Sequence, residues 1–246
     1  MSGLCAGEAR GEAVRDRVGP YLLGPNDENQ GVYCGKAGHL ALEIPDESID
    51  VIFTDPPYSK EYLSLYGWLA FVAARILKPG GFLCTLAGGY YLDRIFALMS
   101  GNGLDWYFKI EFFVEGDSPV IFPRRIVTRT KPVLMWTKGP GVIKIWNMTD
   151  VYQGQGKDKQ YHRWGQDVGI ARYCLEYIVG TGADNVIVLD PFVGAGSTLE
   201  ACQILGLKFL AFDIDPDAVT ESRHRVSTFM PPLFVPQAEQ ARLEGI

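Results

Sequence analysis

The apolar positions of the chain fall into short runs closed by turn-forming residues: DVIFTD (50–55), GFLCTLA (81–87), FKIEFFV (108–114), PVLMWTK (132–138), NVIVLD (185–190) and KFLAFDI (208–214). Runs of this length, bounded in this way, predict strands. Between several of them the apolar positions recur at helical spacing. EYLSLYGWLAFVAARIL (61–77) carries such a stripe and stops at KPGG, a Pro-Gly end signal. Segments 90–100, 168–179, 197–205 and 216–228 predict further helices, with Ser197 and either Asp215 or Pro216 as starts.

Strands that are almost wholly apolar and alternate with helices predict an α/β fold, a mostly parallel sheet covered on both faces. Strands 108–114 and 132–138 have no helix between them, which predicts an antiparallel hairpin at one edge. The stretch GPGVIKIWNMTDVYQGQGKDKQY (139–161) is rich in Gly, Lys and polar residues and reads as an insertion outside the sheet. Residues 1–30 read as a peripheral N-terminal extension and 231–246 as a C-terminal tail, leaving 31–138 and 162–230 as two halves of one domain.

With 246 residues, 47% hydrophobic and 21% charged, the composition is that of an ordinary globular protein. No apolar run reaches the ~18 residues of a membrane span, and the first residues lack the apolar core of a signal peptide, so no membrane partner and a cytoplasmic location are expected. The five cysteines stand singly, with no CxxC pair and no histidine cluster, which predicts inert thiols and no metal site.

Charge changes this picture. The net charge of −6 argues against a nucleic-acid partner, yet residues 124–172 carry ten basic and three acidic side chains, a local +7 against −13 elsewhere. Such asymmetry fits an anion-binding face on an otherwise acidic protein.

Two stretches carry candidate chemistry. VIVLDPFVGAGSTLEACQILGLKFLAFDIDPDAV (186–219) reads as strand, glycine turn, helix from Ser197, and a second strand ending in Asp213. The glycines let a ligand approach the backbone, and an acidic residue 19 positions after Gly194 suits ribose hydroxyls. Leu199 stands where the dinucleotide fingerprint GxGxxG needs glycine, and GAGST has no P-loop lysine. A nucleoside without a pyrophosphate, such as S-adenosylmethionine, fits better. The second stretch, VIFTDPPYSKEY (51–62), ends a strand on two prolines and a tyrosine. Both stretches sit at carboxyl ends of strands, where open α/β sheets bind ligands.

With DPPY at Asp55, Pro56, Pro57 and Tyr58, and FxGxG at Phe192, Gly194 and Gly196, the sequence resembles the S-adenosylmethionine-dependent DNA amino-methyltransferases of the beta group, in which DPPY precedes FxGxG. PDESIDVIFTDPPY, ILKPGGFL and FLAFDIDPDAV extend the likeness over 32–225. FPRRIVTRTKPVLMW and HRWGQ (162–166) look most like phage and mobile-element adenine-specific enzymes. The resemblance implies a Rossmann-like methyltransferase fold with a seven-stranded sheet. It makes 31–138 the catalytic half, 139–161 the candidate target-recognition insertion and 162–230 the cofactor-binding half.

It further implies that Asp55 and the Pro56 carbonyl accept from an adenine amino group while Tyr58 stacks on the flipped base. Consecutive prolines fix φ and hold that carbonyl in one direction. Asp190, Phe192, Gly194, Gly196, Ser197, Thr198, Asp213 and Ile214 are expected at S-adenosylmethionine. Arg124, Arg125, Arg129, Lys144, Lys157 and Lys159 are expected at DNA phosphates, with Trp146, Tyr152 and Tyr161 interleaved. A recognition region of 23 residues predicts a short target sequence or a homodimer that adds a second surface. One departure stands out: Gly35-Lys36 replaces the Gly-Asp that many members have before the DPPY strand, and a lysine cannot accept from the adenine amino group of the cofactor.

Asp rather than Ser before PPY favours adenine over cytosine. Methylation of cytosine N4 or of adenine in RNA, and a non-catalytic nucleic-acid-binding relative, are the alternatives; the absent third glycine argues against a dehydrogenase.

Overall fold

A computed structural model describes residues 16–113, 120–121, 124–153 and 168–230. A small hairpin of β1 (Arg17–Val18) and β2 (Tyr21–Leu22) comes first. It is followed by β3 (Val32–Cys34), α1 (Ala37–Leu40), β4 (Ile49–Thr54), α2 (Ser64–Ile76), β5 (Leu77–Leu86), α3 (Leu92–Met99) and β6 (Asp105–Phe113). A second small hairpin, β7 (Val120–Ile121) and β8 (Ile126–Val127), precedes β9 (Thr130–Thr137) and β10 (Val151–Gln153). The chain closes with α4 (Val168–Val179), β11 (Ile187–Asp190), α5 (Ser197–Leu205), β12 (Lys208–Asp213) and α6 (Pro216–Thr228).

Eight strands form the main sheet in the order β10-β6-β9-β5-β4-β11-β12-β3. Every neighbouring pair is parallel except the two made by β9, which is antiparallel to β5 and to β6. The mixed sheet covered by helices agrees with the expected Rossmann-like class, with two differences. The antiparallel pair is not the sheet's edge, because β9 lies between β5 and β6. Its residues Pro132 to Thr137 are all buried, so hydrogen bonds on both sides and helices on both faces suit it better than an edge. The eighth strand, β10, comes from the stretch expected to lie outside the sheet. It pairs with the end of β6, and Tyr152 packs on Phe112 with ring centroids 6.0 Å apart.

Apolar side chains on the two faces make two cores. Leu69, Ile76 and Ile95 of α2 and α3 fill one, and Leu175, Leu199 and Val226 of α4, α5 and α6 fill the other. The second also holds Cys84, Cys174 and Cys202, whose thiols burial pushes well above the ordinary range. Within the expected N-terminal extension, Val18, Tyr21, Leu22 and Leu23 are buried, and the Tyr21 hydroxyl donates to the Leu40 carbonyl at 2.6 Å.

The topology fixes what meets at the sheet's carboxyl edge. Asp55 follows β4, Gly88 follows β5, the glycine turn follows β11 and Asp213 ends β12. Because β9 runs the other way, Lys131 at its start arrives at the same edge.

Candidate active site

The DPPY corner is held from three sides. Pro56 is buried, Pro57 is exposed, and the Tyr58 hydroxyl donates to Asp55 Oδ1. The Lys131 ammonium stands 5.1 Å from the centroid of the Tyr58 ring. Against the root of the Tyr58 side chain lies Gly88, where an added Cβ would come within 3.1 Å of the Tyr58 Cβ. Burial pushes the Asp55 carboxyl above the usual carboxylate range; the Lys131 charge and the Tyr58 hydrogen bond pull the other way. Tyr66 of α2 is fully buried beneath this corner and donates to the Leu86 carbonyl at 3.2 Å.

Asp190 opens the glycine turn. Its Oδ1 accepts from Thr54 Oγ1 at 2.7 Å and from the Phe192 N–H at 3.1 Å. Burial raises this carboxyl to about 6, against the hydrogen bonds from Thr198, Thr54 and Phe192. Gly194 and Gly196 take φ of +50° and +80°, a region that disfavours side chains. At Gly196 a Cβ would stand 3.1 Å from that of Ser222, whereas at Gly194 it would meet nothing within 4 Å. The turn thus packs on α6 at one glycine and opens to free space at the other. Arg225, almost wholly buried, pairs with Glu200 at 2.5 Å and donates to the Ala195 carbonyl at 3.2 Å, fixing the turn from below.

Asp213 accepts from the Gly194 N–H at 2.9 Å and from the Asp215 N–H at 3.0 Å through different oxygens. Each oxygen keeps a lone pair for a further donor. Beside it Ile214 leaves 63% of its surface exposed, an apolar plate next to a carboxylate. The Gly35 N–H donates to the Asp213 carbonyl at 2.8 Å, so the loop bearing exposed Lys36 borders the same space. Phe192 packs edge-on against Trp68, centroids 5.9 Å apart, and Ser197 is half-buried at the start of α5. An apolar plate, an acidic acceptor and an open glycine fit a nucleoside ligand without phosphates.

Asp190 and Thr198, also expected at the cofactor, are both buried and hydrogen-bond one another, which holds the turn.

Arg124, Arg125 and Arg129 are exposed in the connection from β6 to β9, at the carboxyl edge. The Arg124 guanidinium lies 4.5 Å from the centroid of the Tyr90 ring, two residues past Gly88. Lys144 does not join them. Its N–H donates to the Tyr177 carbonyl at 2.8 Å near the end of α4, and it borders a cavity with Asp50, Lys78 and Gly81 at the opposite edge of the sheet. Trp146 is 88% exposed, whereas Tyr152 packs between Phe112 and Tyr173. Lys157, Lys159, Tyr161 and the HRWGQ stretch lie outside the described residues. Sequence reasoning gave no role to Lys131, Gly88, Tyr90 or Arg225; only the paired glycines of LAGGYY, directly after a strand, signalled a close approach.

Among the described residues no group of His, Cys, Asp and Glu could hold a metal ion, and no helix is long and apolar enough to cross a membrane. The sequence family described as DNA methylase matches residues 137–224, which include the glycine turn but not Asp55. Type II methyltransferase M.BamHI of Bacillus amyloliquefaciens is 26% identical over 242 residues, covering 78% of this chain and 56% of that protein. The chain therefore spans little more than half the length of that relative. The M1.HpyAVI-SAM complex shares the fold with a TM-score of 0.65 at 22% identity, covering 79% of this chain and 98% of that one. The PvuII DNA methyltransferase (cytosine-N4-specific) does so with a TM-score of 0.67 at 19% identity, over 87% and 93%. The chain is thus similar in part of its sequence to the DNA methylase family and to a type II methyltransferase, and it shares the fold of solved DNA methyltransferases.

Proposed function

We propose that this chain methylates an exocyclic amino group in DNA, N6 of adenine first, with S-adenosylmethionine as donor and the target base turned out of the duplex. The observation that carries the reading is the joining of the DPPY corner to the open glycine turn: Thr54, the residue before Asp55, bonds Asp190, the residue that begins the turn. Asp213, Ile214, Phe192, Ser197 and the open face at Gly194 would hold the cofactor. Bound there, S-adenosylmethionine supplies an electrophilic sulfonium methyl.

The chain's own residues supply the rest. An aromatic amine is a weak nucleophile because its lone pair is delocalised into the ring. Asp55 and the Pro56 carbonyl, accepting from its two protons, hold the nitrogen toward tetrahedral geometry and free that pair. Asp55, held above the usual carboxylate range, is also suited to receive the proton that the amine sheds. The Tyr58 ring offers a stacking face worth about 1–3 kcal/mol, which offsets much of the cost of extruding the base. Arg124, Arg125 and Arg129 supply charge for the phosphates beside the site. A homodimer and a recognition role for 139–161 complete the proposal.

Methylation of cytosine N4 is the second reading, supported by the fold shared with a cytosine-N4-specific enzyme. Nucleoside mass spectrometry on duplex DNA incubated with the chain and methyl-labelled donor separates the two. N6-methyladenine from wild type and none from Asp55→Ala supports the first reading, and N4-methylcytosine would replace it with the second. Cofactor binding without transfer to either base would sink both.

A further inference from the structure

We infer that Lys131 is a positioning residue of this site: arriving on β9, which runs antiparallel to its neighbours in the main sheet, it clamps the Tyr58 ring and holds Asp55 in its ionised, hydrogen-bond-accepting form. The inference rests on the methyltransfer reading above. Its structural basis is the topology of β9. Lys131 pairs with Phe112 of β6, and the Ala87 N–H at the end of β5 donates to the Pro132 carbonyl at 3.0 Å. The backbone that carries Lys131 is thereby pinned between two strands, directly beside Gly88. From there its ammonium lies 5.1 Å from the Tyr58 ring centroid, on a ring whose hydroxyl already holds Asp55.

The groups acting on Asp55 come from three elements: Tyr58 on its own loop, Tyr66 on α2 and Lys131 on β9. Both phenols are kept neutral, since burial and the nearby Asp55 charge push them above their ordinary range. Lys131 is the cation of the set and opposes the effect of burial on Asp55. A neutral residue at 131 would leave the buried carboxyl with a greater tendency to take up a proton, and a protonated Asp55 loses an acceptor that the amine needs. The fixed position also argues against a simple phosphate contact, which asks for a charge free to follow the backbone of DNA.

The test uses the full chain with Lys131→Met, Lys131→Gln and Lys131→Arg, and two readouts. Carboxyl carbon-13 NMR follows the titration of Asp55, its signal assigned with Asp55→Asn. The pH profile of kcat/KM is measured on duplex DNA at several salt concentrations. In both uncharged variants the Asp55 midpoint should rise by about one pH unit, and the acid limb of kcat/KM should move with it. At pH values below both midpoints, activity relative to the alkaline plateau should then fall about tenfold, with Lys131→Arg restoring both. An unmoved Asp55 titration in the uncharged variants overturns the inference. So does a loss confined to KM that weakens with salt, the mark of a phosphate contact. If the wild type transfers no methyl group to DNA, the functional reading fails, while the titration still decides whether Lys131 sets the charge of Asp55. Should Lys131→Met not fold, Lys131→Gln carries the same comparison.

Discussion

The Thr54 hydroxyl donates to Asp190 at 2.7 Å, a buried bond between residues 136 positions apart. It ties the strand that delivers Asp55 to the turn that would cradle the cofactor. Thr54→Val keeps the shape and removes the donor, leaving a buried carboxylate oxygen short of one partner at a cost of about 1–3 kcal/mol. Thermal unfolding should show that loss, and kcat should fall more than cofactor affinity, because the two motifs lose their common anchor. Thr54→Ser, which keeps the hydroxyl, should recover most of both. Equal activity in all three proteins would mean that the bond aligns nothing.

Asp190 also sets a pH dependence of stability. Its carboxyl is raised to about 6 in the fold, above the ordinary 3.8. Between these values the folded chain holds a proton that the unfolded chain has released, so this group favours folding at low pH and the benefit is lost as pH rises through 6. From pH 7 to pH 5 the gain is roughly 1 kcal/mol. Other carboxyls respond over the same range, so the comparison is between wild type and Asp190→Asn. The difference in Tm between the two should shift by about 2–4 °C over that interval, toward wild type at the acid end. A difference that stays constant with pH would show that Asp190 does not titrate there.

Tyr58 separates ring from hydroxyl. Its hydroxyl takes up part of the accepting capacity of the Asp55 carboxylate, which an incoming amine would draw on as well. Tyr58→Phe keeps the stacking face and frees Asp55; its kcat/KM should remain within a few-fold of wild type. Tyr58→Ala loses stacking of about 1–3 kcal/mol, a fall of roughly 5- to 150-fold. Steady-state kinetics on a short duplex measures both, and a Phe variant as weak as the Ala variant would shift the role of Tyr58 from its face to its hydroxyl.

Gly88 should be sensitive for a related reason. A Cβ there would stand 3.1 Å from the Tyr58 Cβ and 3.3 Å from its Cγ, so Gly88→Ala forces the ring to give way by a few tenths of an ångström. At the edge of the sheet this should leave Tm almost unchanged while kcat/KM falls about tenfold or more, since small misplacements of a site are costly. Gly89, whose added Cβ meets nothing within 4 Å, is the control, and Gly89→Ala should be close to neutral.

The main elements were legible because their signal is local. Buried runs such as 185–190 and stripes such as 61–77 place β11 and α2 to within a few residues. β3 and β10 escaped notice because three residues are too few to show a period, and backbone pairing to longer strands is what holds them. The position of β9 depends on which neighbours its edges find, which no local pattern records. The same division holds at the site. DPPY and the glycine turn are contiguous motifs and could be read directly. Lys131 and Arg225 act across the fold, at positions where the sequence offers only an ordinary lysine and an ordinary arginine. Lys144 shows the converse: counted with the basic segment, it lies at the other edge of the sheet, because β9 carries the chain away from the site before β10 begins.

Lys36 tests the cofactor half of the proposal. Its loop is held to β12 by the Gly35 N–H on the Asp213 carbonyl at 2.8 Å, which sets residue 36 beside Asp213 and Ile214, both expected at the cofactor. An ammonium cannot accept from an adenine amino group, whereas a carboxylate at the same position can. Lys36→Asp should therefore tighten S-adenosylmethionine binding by about 0.5–1.5 kcal/mol, roughly 2- to 10-fold in Kd by isothermal titration calorimetry. The new charge stands near Asp213 and Asp215, so a small loss of Tm without cofactor should accompany the gain. S-adenosylhomocysteine, with the same adenine, should gain as much, while a ligand lacking the amino group should gain nothing. If affinity does not change, the adenine amino group finds its acceptor elsewhere, and a backbone carbonyl of the 214–215 turn becomes the next position to examine.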